Sequence, residues 1–529
     1  MSMSLTRHGT YDVVIAGGGH NGLTAAAYLA GAGLSVAVLE RLGHTGGAAV
    51  SAQAFPGFPT RLSRYSYLVS LLPESVITDL ALDLRLASRA TASYTPVRRD
   101  GVASGLLVER PEGDATRASF RALTGSDAEY DAWREFYGQV AALAAAVAPT
   151  LTEPLPRESA LRGRVDPAVW RALVERPLGE ALEKRFRDET VRGVVATDAL
   201  IGTFARMDDP SLIQNRCFLY HLIGNGTGEW RVPVGGMGAV TDALAAAARR
   251  AGAELVVDAA VTGIRDGTDG AEVDVASGAV TRTTLRARFV LANVAPWDLT
   301  GLLGEERAPG SKPAGAQLKV NFLLRRLPRL ASGADPRTAF AGTLHLGEDY
   351  AELDRAYAEA AAGQLPSRMP GEVYCHSLSD PSILGDVPAG TQTLTYFGLH
   401  LPATLFDDPM TRAERKEEAV RRAIASLDEH LADPIESVLA RDAAGLPCIE
   451  AKIPQDIEAD LGMPGGHIFH GDLSWPWAAD DAALGTPAAR WGVGAGRERV
   501  LLCGSGATRG GAVSGLGGHN AARAVLELA

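Results

Sequence analysis

The chain has 529 residues, enough for two to four domains at about 150 residues each. Hydrophobic residues make up 46% and charged residues 22% of it, as in ordinary globular proteins. The formal net charge of −12 leaves no basic surplus to neutralise phosphates, which argues against a general nucleic-acid binder.

The cysteine pattern and the apolar runs bear on the compartment. Four widely spaced cysteines without a CxxC motif predict neither a metal site nor a disulfide framework, as suits a reducing cytoplasm. No apolar leader precedes the first strand pattern, and no apolar run approaches the roughly 18 residues of a membrane-spanning helix. We therefore expect a cytoplasmic protein without a transmembrane segment. Peripheral membrane contact and the oligomeric state stay open.

The segment from Tyr11 to Arg41 reads as strand, glycine turn, helix and strand, which is one βαβ unit. Its strands, DVVIA and SVAVLE, are continuous apolar runs typical of a parallel sheet buried on both faces. Between them, Gly17 allows a tight turn, Gly19 a close approach of backbone to a pyrophosphate, and Gly22 close packing of the helix. The N-terminus of that helix offers free N–H groups to phosphates. The unit predicts a doubly wound sheet that binds a dinucleotide.

A carboxylate and a glycine pair follow this unit. Glu40 ends the second strand at the spacing where a carboxylate can accept hydrogen bonds from both ribose hydroxyls. Arg41 follows it, and then Gly46, Gly47 and Ala48, where a long dinucleotide would need backbone close to its pyrophosphate and ribityl chain. The alternative for both motifs is a turn without a ligand. We expect FAD in contact with this region.

The middle of the chain alternates core-like and more charged segments. The block from Val232 reads as turn, helix and strand, and ARFVLANVAP from Ala287 as another buried strand. The segments between are richer in charge, proline and helical patterns, with strand-like runs such as QLKVNFLLRRL and TQTLTYFGLHL. We predict an α/β fold with a discontinuous Rossmann-type FAD-binding domain (10–97, 226–301 and 485–529) and an inserted α+β substrate domain (98–225 and 302–484).

The C-terminal segment LLCGSGATRGGAVSGLGGHNAARAVLE holds seven glycines between residues 504 and 518. Too few residues follow it for a second βαβ unit, which needs about 30. Its strand must therefore complete the first sheet, and its glycines must bring backbone against the far end of the same cofactor. The final helix would point its N-terminus at the flavin edge that becomes negative on reduction. The expected contacts are Gly504, Ser505, Gly515, Leu516 and Asn520.

These motifs, together with VPVGGMGAVTDAL and GGHIFHGDLSW, resemble the phytoene desaturase family of FAD-dependent oxidoreductases. The nearer resemblance is to its branch with carotenoid ketolase-type proteins and the pyridine nucleotide-disulfide oxidoreductase domain-containing protein 2. It implies a glutathione reductase or amine oxidase-like architecture, bound FAD, a strand at Val261 whose backbone meets the adenine, and an apolar organic substrate. The chain departs from the family at Thr60, Arg61 and Ser63, and at Thr508–Arg509. Arg509 then either faces the flavin or is solvated.

The resemblance also implies the reaction. We expect hydride removal from a C–H bond of a small organic substrate, as in a desaturase or dehydrogenase. One alternative is an amine oxidase-like enzyme that forms C=N with O2 as acceptor, and another is a noncatalytic flavin-binding or partner-binding protein. No redox CxxxxC follows Gly47 and no second fingerprint for NAD(P)H occurs, so a nicotinamide-linked reductase is disfavoured.

Lys319 is the first of three candidate catalytic residues. Strand alternation places it on one face with Gln317 and Asn321. The run resembles the strand that carries the lysine on the N5 side of the flavin in amine oxidase flavoproteins. The alternative is an ordinary solvated lysine on a strand.

His470 and Tyr65 are the other two. His470 could converge with His467 in a loop at the active site, or both could make structural polar contacts; the pair lacks the partners for a metal site. Tyr65 and its neighbour Tyr67 could line the flavin or pack in the core. We expect three further side chains to serve packing or to support the last helix: Trp475, Trp477 and His519.

Overall fold

The first of two large sheets carries the βαβ unit, and the second lies in the inserted segments. The chain is described by a computed structural model over residues 9–278 and 281–529. The strands are β1 (Thr10–Ala16), β2 (Val36–Leu39), β3 (Ser51–Gln53), β4 (Arg61–Ser63), β5 (Leu86–Ala87), β6 (Thr91–Arg99), β7 (Val102–Glu109), β8 (Val232–Pro233), β9 (Glu254–Val256), β10 (Ala259–Gly267), β11 (Gly270–Ser277), β12 (Thr281–Ala292), β13 (Leu318–Leu324), β14 (Thr343–Leu346), β15 (Gly371–Tyr374), β16 (Gln392–Gly398), β17 (Ile449–Lys452) and β18 (Val500–Leu502).

Helices cover the first sheet and form a separate cluster between residues 114 and 223. The helices are α1 (His20–Gly31), α2 (Glu74–Asp79), α3 (Asp114–Thr124), α4 (Ala128–Val147), α5 (Glu158–Arg162), α6 (Pro167–Trp170), α7 (Leu178–Arg185), α8 (Glu189–Thr197), α9 (Ile213–Ile223), α10 (Met237–Arg250), α11 (Pro296–Leu302), α12 (Pro336–Ala339), α13 (Tyr350–Ala361), α14 (His376–Ser379), α15 (Arg412–Asp428), α16 (Ile435–Val438), α17 (Pro454–Leu461), α18 (Pro487–Arg490) and α19 (Leu516–Leu528). None of the helices described is long and apolar enough to cross a bilayer.

The first sheet has the order β10-β11-β12-β1-β2-β9, and β18 pairs with the C-terminal end of β12, beyond β11 and on the edge away from β1. Strand β1 pairs in parallel with β2 and β12, and β18 pairs in parallel with β12. Helix α1 packs against α10 and α19, so the beginning, middle and end of the chain share one apolar core. The prediction that the last strand completes the first sheet is confirmed.

The second sheet has the order β17-β13-β16-β15-β14-β6-β7 and is antiparallel except between β14 and β6. Its register aligns Lys319 with Phe397, Phe397 with Glu372, and Glu372 with His345. Residues directly opposite each other across paired strands project from the same face. This row of four side chains lines the central cavity of the protein.

The fold class is the predicted one, but one boundary is wrong. Strand β6 pairs with β7 and β14 in the second sheet, whereas residues up to 97 were assigned to the FAD-binding domain. Residues 91–97 therefore belong with the second sheet. The pairing of β6 with β14 is long-range, but the hairpin of β6 and β7 turns at Asp100–Gly101, a dipeptide typical of hairpin turns, so the sequence held a local signal that the predicted boundary cut through. The remaining domain limits stay a prediction.

Candidate active site

The glycine loop after β1 is closed so tightly that side chains are excluded from it. Gly17 has a φ of +106°, a conformation that favours glycine. A Cβ on Gly22 would collide with the carbonyl oxygen of Gly17, to which Asn293 Nδ2 donates a hydrogen bond of 2.9 Å. The loop therefore presents bare backbone at the N-terminus of α1, as a pyrophosphate site requires.

Glu40 and the second glycine pair complete this cradle. Glu40 is buried, and its carboxylate accepts hydrogen bonds of 2.8 Å from the N–H groups of Gly18 and Leu42. A carboxylate has about four acceptor positions, so capacity remains for ribose hydroxyls. The Gly46 N–H donates to the Gly18 carbonyl at 2.9 Å, which brings the two glycine loops together. Gly47 lies against Gly19 in the same contact.

Asn21 supplies an independent observation on ligand fit. Its side chain is 1% exposed, and neither amide atom has a hydrogen-bond partner among the described residues. Buried polar groups are nearly always hydrogen-bonded, so an orphaned amide in the first turn of α1 indicates a missing polar ligand. A dinucleotide bound at this helix N-terminus would bring polar groups near that amide. Sequence reasoning on glycine spacing alone missed this residue.

The cradle faces a central cavity of about 450 Å³. His20 and Ala48 line it from the glycine loops, together with Ser505, Gly511, Ala512 and Val513 of the C-terminal loop. Lys319 and Phe397 line it from the second sheet. The cavity thus lies between the dinucleotide cradle and the second sheet. The predicted cofactor contacts of Arg41, Val261, Gly504, Gly515 and Leu516 stay predictions.

Lys319 is 2% exposed, so the solvated alternative is wrong. Its Nζ donates to the carbonyl oxygens of Ser63 at 2.7 Å and Tyr65 at 2.5 Å, and lies 4.9 Å from the ring centroid of Tyr67. Desolvation lowers the pKa of the ammonium group to about 7. Strand alternation identified the face correctly but could not show that another segment covers it. Its catalytic role stays a prediction.

Tyr65 and His470 occupy different environments. The Tyr65 hydroxyl donates to Asp460 at 2.9 Å while the residue lines the cavity. His470 lies beside Gly506 of the C-terminal loop, and its buried Nδ1 has no partner within the described residues. Desolvation, with lesser contributions from His20 and His467, lowers the pKa of His470 to about 3, so its ring is neutral. The catalytic role predicted for both residues stays untested.

Several other expected roles are structural. His467 Nδ1 accepts from the N–H groups of Phe469 and Gly471 at 3.3 Å, which fixes the turn around it. Trp475 stacks on Trp477 with ring centroids 4.8 Å apart, as packing residues do.

The last helix is joined to the helical cluster by side chains from its own first turns. His519 pairs with Asn520 at 2.9 Å, and Asn520 Nδ2 donates to the Leu151 carbonyl at 3.3 Å. The support role expected of His519 agrees with this contact. Since the Asn520 amide is engaged with Leu151, its predicted contact with the cofactor has no separate support and stays a prediction.

Arg509 is 1% exposed, so the solvated alternative is wrong for it as well. Its guanidinium donates to the carbonyls of Thr150 and Glu153 at 2.7 Å and of Trp491 at 3.2 Å. Desolvation lowers its pKa to about 10, which still leaves it charged at neutral pH. Arg509 thereby ties the C-terminal loop to the helical cluster.

A wall of ionisable side chains in the cavity was missed by sequence reasoning. Arg89, Asp198, His345 and Glu372 line it, and the Tyr374 hydroxyl donates to Glu372. Desolvation raises the pKa of Glu372 to about 8 and that of Asp198 to about 6. The strands that carry His345 and Glu372 were not predicted, so their alignment in one row gave no signal in the sequence.

Comparisons with known proteins agree with this geometry. Residues 15–75 match the family model of the NAD(P)-binding Rossmann-like domain. The chain is 53% identical over 535 residues to an uncharacterized protein of Mycobacterium tuberculosis (strain ATCC 25618 / H37Rv), covering 98% of this chain and 97% of that protein. It is similar in fold to a solved structure of a putrescine oxidase mutant, with 16% identity, a TM-score of 0.56, and coverage of 98% and 99% of the two chains.

A further relative establishes the family. Over 570 residues the chain is 30% identical to the pyridine nucleotide-disulfide oxidoreductase domain-containing protein 2 of Mus musculus, covering 98% of this chain and 93% of that protein. Both sequences therefore align along nearly their whole lengths, and the dinucleotide cradle described above lies within the aligned region. The chain belongs to the family of this mouse protein and is an FAD-dependent oxidoreductase.

Proposed function

We propose that the protein removes a hydride from a C–H bond of an organic substrate held in the central cavity, as a dehydrogenase or desaturase. The observation that supports this is the position of the cavity between the glycine cradle and the second sheet. When bound, FAD supplies a two-electron acceptor for this chemistry. The finer assignment to the phytoene desaturase family and its carotenoid ketolase-type branch, and a cytoplasmic location, belong to the same proposal.

The residues of the chain have separable tasks in this proposal. Gly17, Gly19 and Gly22 expose backbone to the pyrophosphate, and Glu40 accepts from the ribose. Apolar side chains of the lining exclude water and hold a largely apolar substrate, among them Leu68, Leu71, Val108, Trp133, Val140 and Leu473.

The second candidate function is amine oxidation with O2 as the acceptor. The observation that favours it is Lys319, a buried amine on the cavity wall next to the aromatic ring of Tyr67. A fixed cation there would stabilise the negative charge that develops as O2 is reduced. The two candidates differ in product and in electron acceptor.

The experiment that separates them starts from purified protein. Flavin released by acid is identified by chromatography, and release of FMN or of no flavin would contradict the cofactor assignment. The loaded protein is then mixed anaerobically with aliphatic acids, terpenoid hydrocarbons and amines while flavin bleaching is recorded. Formation of C=C with slow reoxidation by O2 supports the dehydrogenase. Rapid formation of hydrogen peroxide and an imine-derived carbonyl supports the oxidase. A flavin that none of these compounds bleaches would contradict both.

A further inference from the structure

Arg89 is a buried cation that faces the cavity without a counter-ion. It is 8% exposed, and its neutral hydrogen bonds are long: 3.3 Å from Nε to the Trp230 carbonyl and 3.4 Å from Nη1 to Thr343 Oγ1. Among the described residues no carboxylate oxygen lies within ion-pair distance of it. Guanidinium groups stay charged in proteins, and a buried charge without a partner is costly. The position therefore lacks a negatively charged partner.

The described carboxylates nearest Arg89 act on it without forming an ion pair. Glu372 and Glu229 are the carboxylates that act on it from a distance. Glu372 is engaged by the Tyr374 hydroxyl, and its raised pKa of about 8 keeps it largely protonated at neutral pH. Arg110 lines the same cavity and adds a second positive charge, while the carboxylates of Asp198, Glu109 and Glu112 line it as well.

An aromatic wall connects this position to Lys319. The Lys319 Nζ lies 4.9 Å from the Tyr67 ring centroid, Tyr67 and Tyr374 are 4.8 Å apart, and the Arg89 guanidinium carbon is 5.8 Å from the Tyr374 ring. Two basic groups thus stand at opposite ends of a wall formed by two tyrosines. A substrate lying along this wall would meet aromatic surface in the middle and a guanidinium at one end.

We propose that Arg89 binds the carboxylate of an anionic and otherwise apolar substrate, such as an aliphatic carboxylic acid. The apolar part lies along Tyr67 and Tyr374, with the carbon to be oxidised toward Lys319. A carboxylate accepts charge-assisted hydrogen bonds from a guanidinium in fork geometry, and it would occupy the donors that the protein leaves weakly satisfied. This substrate class rests on the proposed function, because the direction of the substrate assumes the flavin beside Lys319.

Matched ligands test the proposal. The FAD-loaded protein is titrated in a calorimeter with octanoate, 1-octanol and octylamine, which share a chain and differ in the charge of the head group. We expect octanoate to bind about tenfold or more tightly than 1-octanol, as a charge-assisted bond allows. Arg89→Met should remove that preference, and Arg89→Lys should keep part of it. Arg85→Met, an exposed arginine four positions earlier, serves as the matched control.

Equal binding of octanoate and 1-octanol would overturn the proposal. Tighter binding of octylamine would overturn it too, because it would place the polar end of the ligand at a carboxylate such as Asp198. Arg89→Met removes a buried group and could disturb folding. The near-ultraviolet circular dichroism and the flavin content of this variant are therefore compared with those of the wild type. If that variant does not fold, the octanoate preference of the wild type and of Arg89→Lys decides. Calorimetry measures binding whether or not the flavin is reduced. A failure of the proposed redox function can therefore be distinguished from a failure of carboxylate binding.

Discussion

Glu40 holds the backbone of Gly18 through a hydrogen bond of 2.8 Å from the Gly18 N–H to Oε2. The other carboxylate oxygen holds the N–H of Leu42 at the same distance. One side chain therefore shapes the glycine loop and keeps acceptor capacity for a ribose.

Replacing Glu40 should weaken FAD binding. In Glu40→Ala the ribose loses a charged acceptor and the loop loses its brace, so the binding free energy should fall by about 1.5–3 kcal/mol. Glu40→Gln retains one carbonyl acceptor, so its affinity for FAD should lie between those of the wild type and Glu40→Ala. Fluorescence titration of the apoprotein with FAD measures the dissociation constant. Glu254→Gln is the control, because this carboxylate accepts from Tyr11 in the same sheet but outside the glycine loops. Wild-type affinity in Glu40→Ala would refute the role.

NADH and NADPH should not reduce the flavin rapidly. The chain carries one glycine fingerprint, which FAD would occupy, and a carboxylate at Glu40 would repel the 2′-phosphate of NADPH. Stopped-flow absorbance after mixing with stoichiometric nicotinamide under anaerobic conditions measures this, with dithionite as the positive control. Complete bleaching within seconds would contradict the prediction and indicate a nicotinamide site elsewhere in the fold.

Local patterns predicted the dinucleotide half of the fold. The spacing of Gly17, Gly19 and Gly22, and the apolar runs on either side of them, are local properties, because backbone geometry at a glycine turn depends on neighbouring residues. The apolar run at Val500–Leu502 and the glycines that follow it are local signals of the same kind, and this strand joins the first sheet beside β12.

Long-range contacts account for what the sequence did not predict. Strand β6 pairs with β14, far away in the chain, so the sequence does not show which sheet the hairpin of β6 and β7 joins. Lys319 and Arg509 were ambiguous for a related reason. Both are satisfied by backbone carbonyls of distant segments, and the sequence does not show which carbonyls come near a given side chain. The positions of Arg89 and Glu372 on the cavity wall also depend on contacts between distant segments, so the sequence did not reveal them.

Arg509→Leu should destabilise the protein strongly. The change leaves the buried carbonyls of Thr150, Glu153 and Trp491 without these donors, which should lower the free energy of unfolding by about 3 kcal/mol. Urea unfolding followed by circular dichroism tests this. Arg497→Leu, which breaks an exposed ion pair with Glu305, should cost no more than about 1 kcal/mol. Equal midpoints for the two variants would show that the Arg509 contacts contribute little.

Lys319→Met should slow the reaction with O2 and leave flavin reduction unchanged, if Lys319 lies near the flavin. The cation would stabilise the negative charge formed as O2 is reduced, and a several-fold loss is expected from its removal. Both half-reactions are measured separately by stopped flow at full FAD occupancy. Lys312→Met is the control, because this lysine is exposed and pairs with Glu458. An unchanged O2 rate in Lys319→Met would remove the main support for the oxidase.

The same lysine predicts a pH dependence with a definite sign. Desolvation lowers the pKa of Lys319 from 10.5 to about 7, so Nζ loses its proton as the pH rises through about 7. The rate of reaction with O2 should therefore fall above pH 7 in the wild type and stay flat in Lys319→Met. The free energy of unfolding should change in the opposite direction. The unfolded chain keeps this proton up to a pH of about 10.4, whereas the folded chain loses it near pH 7. Between these two pH values, the free energy of unfolding of the wild type should therefore rise with pH relative to that of Lys319→Met. Parallel urea titrations of both proteins at pH 6 and pH 9 measure the difference. An O2 rate and a stability difference that do not change between pH 6 and pH 9 would mean that Lys319 stays charged throughout this range, and a change of the opposite sign in either would contradict the lowered pKa.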